Sequence, residues 1–290
     1  MVAFACLVLG AVAMGASPIF VRLADVGPYA SAFWRTVLAL PALWLWSRIE
    51  AHDAPRTSFD RSALVAGLLF AGDLFFWHLA IVNTTVANAT FLATTTPIWV
   101  ALGAWLLAME TTGARTRAGI ALCLLGGAAL MGQSYGFAPA RVAGDLFGVI
   151  TAVFFGSYVL AVRWGRQHHA AGRLLFLSTL VTAPCLFVVA LIMEPHLLPQ
   201  SAGGLAALLA LALVSHVGGQ GLAAIALGTL PATFSSLVIF IEAIAAAALG
   251  WLVLGEALGA LQLAGGVLIL LGIFVARPRA DAAAIRQPGP

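Results

Sequence analysis

The chain has 290 residues, of which 62% are hydrophobic and only 9% are charged, and its mean hydropathy is +1.04. A soluble domain carries about a quarter charged residues, so this composition excludes an ordinary soluble fold. The formal net charge is only +3, and the 14 basic residues are all arginines that stand singly or in loose pairs, which argues against a nucleic-acid surface.

Ten apolar stretches of roughly 20 residues follow one another, each long enough for an α-helix to cross a hydrocarbon core about 30 Å thick. Their hydrophobicity is continuous rather than alternating, which favours helices over a β-barrel. We therefore predict an all-α integral membrane protein with ten transmembrane helices. The predicted spans are 2–21, 30–49, 62–81, 86–108, 117–134, 143–163, 172–193, 204–226, 232–254 and 259–276.

The loop arginines divide unequally between the two sides of the membrane. When loops are counted alternately, one side receives nearly all of them, whereas the other receives only Arg22 and Arg141. By the positive-inside rule, both termini are predicted to be cytoplasmic, which places the chain in a bacterial inner membrane. The three cysteines all lie within spans, so we expect no disulfide framework.

The chain resembles itself at a fixed spacing. An offset of 146 residues aligns Trp105 with Trp251 and Glu110 with Glu256, and earlier spans align at offsets of 141 and 143. Alanine, leucine and glycine matches arise easily in membrane sequences, but tryptophan and glutamate matches do not. The alignment therefore indicates an internal duplication.

The duplication predicts two five-helix repeats, residues 1–138 and 139–280, followed by a cytoplasmic tail at 281–290. Since five is an odd number, the first repeat starts in the cytoplasm and the second starts outside. The two repeats are therefore expected to be inverted relative to each other, as in many secondary transporters.

An acidic side chain in the middle of a span needs a reason, because it costs roughly 2.5–3.5 kcal/mol on insertion scales. Glu242 lies near the middle of the ninth span, with Ser235 two turns earlier on the same face. We interpret Glu242 as a group that binds a substrate ammonium or carries a proton. The alternative is a buried carboxyl that a neighbour neutralises for packing.

Two other spans carry polar faces in corresponding positions. Asp73 and Trp77 share a face of the third span, and His78 lies about 100° round the helix. The offset of 146 residues aligns Asp73 with Gly219, which lies between His216 and Gln220 on the eighth span. A shared cavity explains both faces, although a histidine held by structural hydrogen bonds is the alternative for His78 and His216.

Further candidates come from stripes at helical spacing. Asn88, Thr95 and Trp99 lie on one stripe of the fourth span. Tyr158 ends an aromatic stripe on the sixth span, and Ser17 is its counterpart in the first repeat. These aromatic rings would stack on a substrate side chain; ordinary helix packing is the competing interpretation.

Two assignments stay open at this point. The duplication maps Glu242 onto Thr96, about 100° from the stripe of Thr95 and Trp99, so either the cavity touches both faces or one assignment is wrong. Arg35 lies about a turn and a half inside the second span. For Arg35 we favour structural anchoring, at the interface or to an acid or a carbonyl, over binding of a substrate carboxylate.

Short aromatic, proline and glutamate patterns recur in several spans. They are Phe33-Trp34-Arg35 on the second span, Thr96-Pro97-Ile98 through Trp105 to Glu110 on the fourth, and Glu242 through Trp251 to Gly255-Glu256 on the ninth. Over nearly the whole chain these patterns resemble the EamA family of the drug/metabolite transporter superfamily. The resemblance implies ten transmembrane helices and export of small metabolites, with YddG-type aromatic amino-acid exporters as the subgroup. Ala243 stands where the repeated pattern would place a proline, which puts a kink of the ninth span in doubt.

We therefore predict a secondary carrier that exports amino acids, aromatic or hydrophobic ones, or similar small metabolites by alternating access through a central cavity. The alternatives are an intramembrane enzyme or a channel that uses the same buried polar residues; the sequence has neither a His-x-x-x-His nor a paired-acid motif. The expected partners are a small-molecule substrate and the lipid bilayer, with the chain as a monomer. We expect no enzymatic activity, cofactor, metal or nucleic acid.

Overall fold

The computed structural model describes residues 1–50, 58–84, 86–131, 141–255 and 258–278. Within those ranges the chain is helical and contains no β-strand, as the all-α prediction requires. The predicted tail at 281–290, the predicted boundary between the repeats and Glu256 lie outside the described residues.

The helices follow the predicted spans, but several spans are divided. The first repeat contains α1 (Val2–Gly15), α2 (Ser17–Leu23), α3 (Pro28–Val37), α4 (Leu40–Glu50), α5 (Arg61–Asn83), α6 (Val86–Ala93), α7 (Thr96–Leu106) and α8 (Ala114–Met131). The second contains α9 (Val142–Gly165), α10 (Ala171–Met193), α11 (Ala202–Ala210), a π-helical segment (Leu211–Gln220), α12 (Gly221–Leu227), α13 (Ala232–Ile239), α14 (Ile241–Leu254) and α15 (Ala260–Ala276).

In the first repeat, each division of a span comes just before a proline. Pro18, Pro41 and Pro97 lie in the first turns of α2, α4 and α7. A proline has no N–H and its ring collides with the carbonyl four residues earlier, so the helix breaks there. The ninth span is likewise divided at Phe240, although Ala243 stands in place of the proline.

Six helical units of the described chain are long and apolar enough to cross a membrane, and two shorter apolar helices accompany them. The six are Val2–Leu23, Arg61–Asn83, Val142–Gly165, Ala171–Met193, Ala202–Leu227 and Ala232–Val253, and the shorter two are Phe91–Leu106 and Ala260–Ala276. The remaining predicted spans are helical as α3 with α4 and as α8. The chain is therefore a multi-pass membrane protein, while the count of ten spans stays a prediction.

Helices α8 and α15, which the duplication makes equivalent, form the most extensive helix contact. Their backbones cross at glycines: a Cβ added to Gly265 would lie 2.5 Å from Leu130 N and 2.6 Å from Gly126 O. Hydrophobic burial provides little drive between helices in lipid, so such close packing is a main source of their association.

We expect Gly265→Ala to destabilise the protein and Gly266→Ala to leave its stability nearly unchanged. The methyl group at 265 meets backbone atoms, so the helices must separate, which costs about 1–3 kcal/mol. The methyl group at 266 has only Ile244 Cγ1 near it, at 4.0 Å. Thermal unfolding of the two variants in detergent measures the difference; equal midpoints would contradict this account of the contact.

Two glutamates cap helices of the opposite repeat in a reciprocal way. Glu50, which ends α4, accepts hydrogen bonds from Gly172 N (2.8 Å) and Arg173 N (3.3 Å) in the first turn of α10. Glu194, which follows α10, accepts one from Tyr29 N (2.9 Å) in the first turn of α3. The second span of each repeat therefore ends against the start of its counterpart, and the two spans are antiparallel neighbours.

Other contacts between the repeats gather where α4, α7 and α9 end and where α5, α10 and α13 begin, which we call the Arg-rich end. There Glu110 accepts hydrogen bonds from Ala232 N (2.5 Å) and Thr233 N (3.1 Å) in the first turn of α13. Within the second repeat, Arg163 Nη1 donates to Leu227 O (2.7 Å) at the end of α12. Acids at helix N-termini and cations at C-termini are both favourable, because each opposes the partial charge of the helix end.

Asp60 also belongs to the Arg-rich end. Its carboxylate accepts from Ala63 N (3.0 Å) and Ser62 Oγ (2.7 Å), and its second oxygen lies 2.9 Å from His169 Nε2 of the other repeat. Partial burial alone would raise the pKa of Asp60, but these three partners outweigh it and lower the pKa to about 2. The Asp60 carboxylate thus stays ionised while it joins the start of α5 to the loop after α9.

Candidate functional site

The helices of both repeats enclose a cavity of about 180 Å³. Many of its lining residues occupy equivalent positions in the two repeats. The equivalent pairs are Met14 with Phe155, Leu74 with Gln220, Ala93 with Ile239, Thr94 with Phe240, Thr96 with Glu242 and Pro97 with Ala243. The cavity therefore lies where the duplicated parts face each other.

Five of the residues singled out from the sequence line this cavity. Ser17 lies at the break between α1 and α2, Asp73 and Trp77 lie on α5, Gln220 ends the π-helical segment, and Glu242 lies in the first turn of α14. The helix breaks explain part of this arrangement, because they place Ser17 and Glu242 next to helix ends inside the bundle. The structure thus brings the two acidic candidates into one cavity; that they bind a substrate stays a prediction.

The two histidine candidates lie behind the cavity wall. His78 is 2% exposed, and its Nδ1 lies 2.6 Å from Leu74 O. His216 is 1% exposed, and its Nε2 lies 3.1 Å from Thr179 Oγ1. Neither side chain lines the cavity, so their surroundings fit the structural alternative that the sequence left open.

Tyr158 and Ser235 are likewise buried beside the cavity rather than in its lining. The Tyr158 ring lies 4.7 Å from that of Phe70 and 6.0 Å from that of Phe155, measured between centroids, and both phenylalanines line the cavity. Tyr158 therefore supports the aromatic wall from behind. Beside Ser235, the neighbouring Ser236 reaches the cavity instead.

On the fourth span the structure favours the face of Thr96 over the stripe that contains Thr95. Thr95 Oγ1 donates to Leu92 O (2.6 Å) and accepts from Trp99 Nε1 (3.3 Å), and neither side chain lines the cavity. Thr94 and Thr96 line it. Asn88 lies on α6, but its side chain is outside the described residues.

Arg35 is the cavity residue whose placement differs most from the sequence expectation. It is 8% exposed, near the end of α3, and lines the cavity instead of reaching the membrane interface. Its Cζ lies 5.9 Å from the centre of the Phe70 ring. Within the described chain, no acid lies within 4.0 Å of its guanidinium, so the structure shows no direct anchoring of Arg35 to an acid there.

The cavity combines three ionisable groups, Arg35, Asp73 and Glu242, with aromatic walls. Asp73 and Glu242 interact electrostatically with Arg35 from beyond direct contact. Trp77 and Phe240 form part of the apolar lining. In the described residues there is no group of histidine, cysteine and acidic side chains that would hold a metal ion. Such a site is suited to a small molecule that carries both charge and apolar surface.

Fold and cavity together define a class of protein, the polytopic membrane transporters of small molecules. Residues 1–132 and 142–277 each match the EamA-like transporter family, and the chain belongs to this family. The two matches confirm that the chain consists of two repeats. Members of the family are transporters rather than enzymes, which agrees with the expectation of no enzymatic activity.

A solved structure described as "Crystal structure of protein" has the same fold. It superposes with a TM-score of 0.82 over 98% of this chain and 99% of that chain, at 18% sequence identity. No curated protein sequence matches the chain significantly.

Proposed function

We propose that this protein is a secondary transporter that exports amino acids, aromatic or hydrophobic ones, or similar small metabolites by alternating access. In this proposal the chain works as a monomer in a bacterial inner membrane, with ten transmembrane helices and both termini in the cytoplasm. The observation that carries the proposal is the cavity between the repeats, which holds Asp73 and Glu242 beside aromatic walls.

An inverted relation between the repeats would supply the mechanism. The reciprocal caps of Glu50 and Glu194 support it, because equivalent spans then run in opposite directions side by side. Two similar bundles related by an axis in the membrane plane can exchange conformations, which opens a central site first to one side and then to the other. The Arg-rich end, cytoplasmic under the positive-inside rule, is closed by the packing of α7 on α13.

The lining favours a substrate with an ammonium group and an apolar side chain. Asp73 and Glu242 are the acidic groups that face the cavity, so either carboxylate can accept hydrogen bonds from an ammonium. Trp77, Phe155 and Phe240 offer ring faces and edges to an aromatic or aliphatic side chain. These features agree with the amino-acid exporters that the sequence resembles.

A channel and an intramembrane enzyme are weaker proposals. A channel needs a continuous path, whereas α7 and α13 pack together between the cavity and the Arg-rich end. An enzyme needs a nucleophile or an acid–base pair with a reacting geometry, and no histidine or cysteine is among the described residues that line the cavity.

Counterflow in proteoliposomes tests the proposal. We expect vesicles preloaded with phenylalanine to accumulate labelled phenylalanine transiently and saturably, with tryptophan and methionine competing better than threonine or a charged polar control. A channel would equilibrate the label without overshoot. Absence of movement for every amino acid would overturn the substrate assignment and leave the membership of the transporter family intact.

A further inference from the structure

The guanidinium of Arg35 faces the cavity beside the Phe70 ring but without a hydrogen-bonding partner in the described chain. The side chain is more than nine-tenths buried, and its Nε is enclosed and makes no hydrogen bond within the described structure. The other two nitrogens likewise have no hydrogen-bonding partner in the described chain, and the nearest acids, Asp73 and Glu242, act on Arg35 only from a distance. A buried charge is normally paired by hydrogen bonds, so this guanidinium has N–H groups that are available to a ligand.

Two partly buried arginines outside the cavity lining differ in this respect. Arg163 donates to Leu227 O (2.7 Å), and Arg166 Nε donates to Ala224 O (2.9 Å), so both fix the end of α12. The position equivalent to Arg35 in the second repeat is Ser178, whose hydroxyl donates to Leu175 O (3.1 Å) within its own helix. Among the described residues that line the cavity, the cation therefore comes from the first repeat alone.

From this geometry we infer that Arg35 binds the carboxylate of the substrate, while Asp73 and Glu242 hold its ammonium group. The inference rests on the proposed function and narrows its substrate class to zwitterions that carry both groups, such as α-amino acids. A guanidinium matches a carboxylate with two parallel hydrogen bonds, which an ammonium cannot do. Amines without a carboxylate, and carboxylates without an ammonium, each leave one charged subsite unpaired.

The combination of charges also sets the selectivity. An amine without a carboxylate leaves the Arg35 guanidinium desolvated and unpaired, which a site built for hydrogen bonding rejects strongly. A carboxylate without an ammonium keeps its contact with Arg35 but brings no cation to Asp73 and Glu242, so the repulsion from these two acids is only partly offset. Recognition at both ends therefore excludes the neutral and singly charged lipophilic compounds that an aromatic cavity alone would admit.

The test compares three ligands that share one ring: phenylalanine, phenethylamine, which lacks the carboxylate, and 3-phenylpropionate, which lacks the ammonium. Binding is measured on the full chain in nanodiscs by calorimetry. We expect the wild-type protein to bind phenylalanine about 30-fold or more tightly than either analogue, in line with the loss of one buried charged contact. Arg35→Gln should weaken the binding of phenylalanine by a similar factor. The affinity for phenethylamine should stay within about threefold of the wild-type value.

Two further variants separate recognition from folding. Arg35→Lys keeps the charge but loses the paired geometry, so its preference for phenylalanine should fall between those of the wild type and Arg35→Gln. Arg163→Gln removes an arginine that contacts a carbonyl far from the cavity, and its ligand preference should equal that of the wild type. If Arg35→Gln does not fold, the preference for phenylalanine over its analogues in the wild type and in Arg35→Lys still decides whether Arg35 binds the carboxylate.

The outcomes distinguish this inference from the proposed function. Two results would overturn the role of Arg35 and leave the proposed function intact. One is equal affinity of the wild-type protein for phenylalanine and phenethylamine. The other is an undiminished preference for phenylalanine in Arg35→Gln or Arg35→Lys. Failure of the wild-type protein to bind or move any amino acid would overturn the proposed substrate class, and this inference with it.

Discussion

We expect Glu242→Gln to abolish substrate transport in proteoliposomes while the protein still folds. Glutamine occupies nearly the same volume but carries no charge, so the cavity loses an electrostatic partner for a cationic group. Truncating one member of a buried charged contact costs about 2–5 kcal/mol, which is about 30-fold or more in affinity. The measurement is the initial rate of counterflow, together with its dependence on pH if Glu242 also carries a proton.

The control is Glu194→Gln, because Glu194 carries the same side chain but caps α3 away from the cavity. This variant should lose some thermal stability and keep the wild-type affinity for substrate. Unchanged flux and unchanged pH dependence in Glu242→Gln would remove Glu242 from the binding site.

Glu110→Gln should shift the protein toward the conformation that opens at the Arg-rich end. The Glu110 carboxylate holds the first two N–H groups of α13, and charged hydrogen bonds contribute about 1.5–3 kcal/mol each. Glutamine keeps at most one acceptor oxygen and no charge. We expect the open population to rise about 10-fold, seen as a longer and broader distance distribution between spin labels at the exposed positions Leu107 and Thr229.

Glu50→Gln is the matched control for this effect, since Glu50 caps α10 at the same end of the bundle but does not join α7 to α13. Its label distances should match those of the unmodified protein. If Glu50→Gln and Glu110→Gln broadened the distribution equally, a general loosening of the Arg-rich end would explain the result, and Glu110 would have no special part in access.

The duplication was the sequence feature that best predicted which residues line the cavity. It maps Glu242 onto Thr96, and both side chains line the cavity. It works because equivalent positions of a repeated bundle face the same shared space, whatever the local irregularities of each helix. The resemblance to the EamA family added the class of protein, and the family match confirms it.

Helical periodicity failed on the fourth span for a physical reason. A stripe through Asn88, Thr95 and Trp99 assumes one continuous helix, but the chain turns at Thr94 and Thr95 before Pro97. A single helical count across this turn therefore has no physical basis, and Thr95 and Trp99 lie outside the cavity lining. Periodicity should therefore be counted separately on each side of a membrane proline.

Arg35 and the histidines show what a sequence cannot provide. Whether an arginine in a span reaches the interface depends on what surrounds it, and α10 and the π-helical segment pack against α3. His78 reaches Leu74 O only once its helix has formed. His216 reaches Thr179 Oγ1 only once the two helices have packed together. The one sequence feature that pointed to a cavity position for Arg35 was its place well inside a divided span.

The reciprocal caps of Glu50 and Glu194 bear on how the protein is made. The start of α3 is synthesised early, yet the carboxylate that satisfies its N–H group arrives only with residue 194. The nascent chain therefore carries an uncapped helix end at the membrane surface until most of the protein has been inserted. A fragment that ends between the repeats lacks Glu194, and so the first turn of its α3 is without this carboxylate.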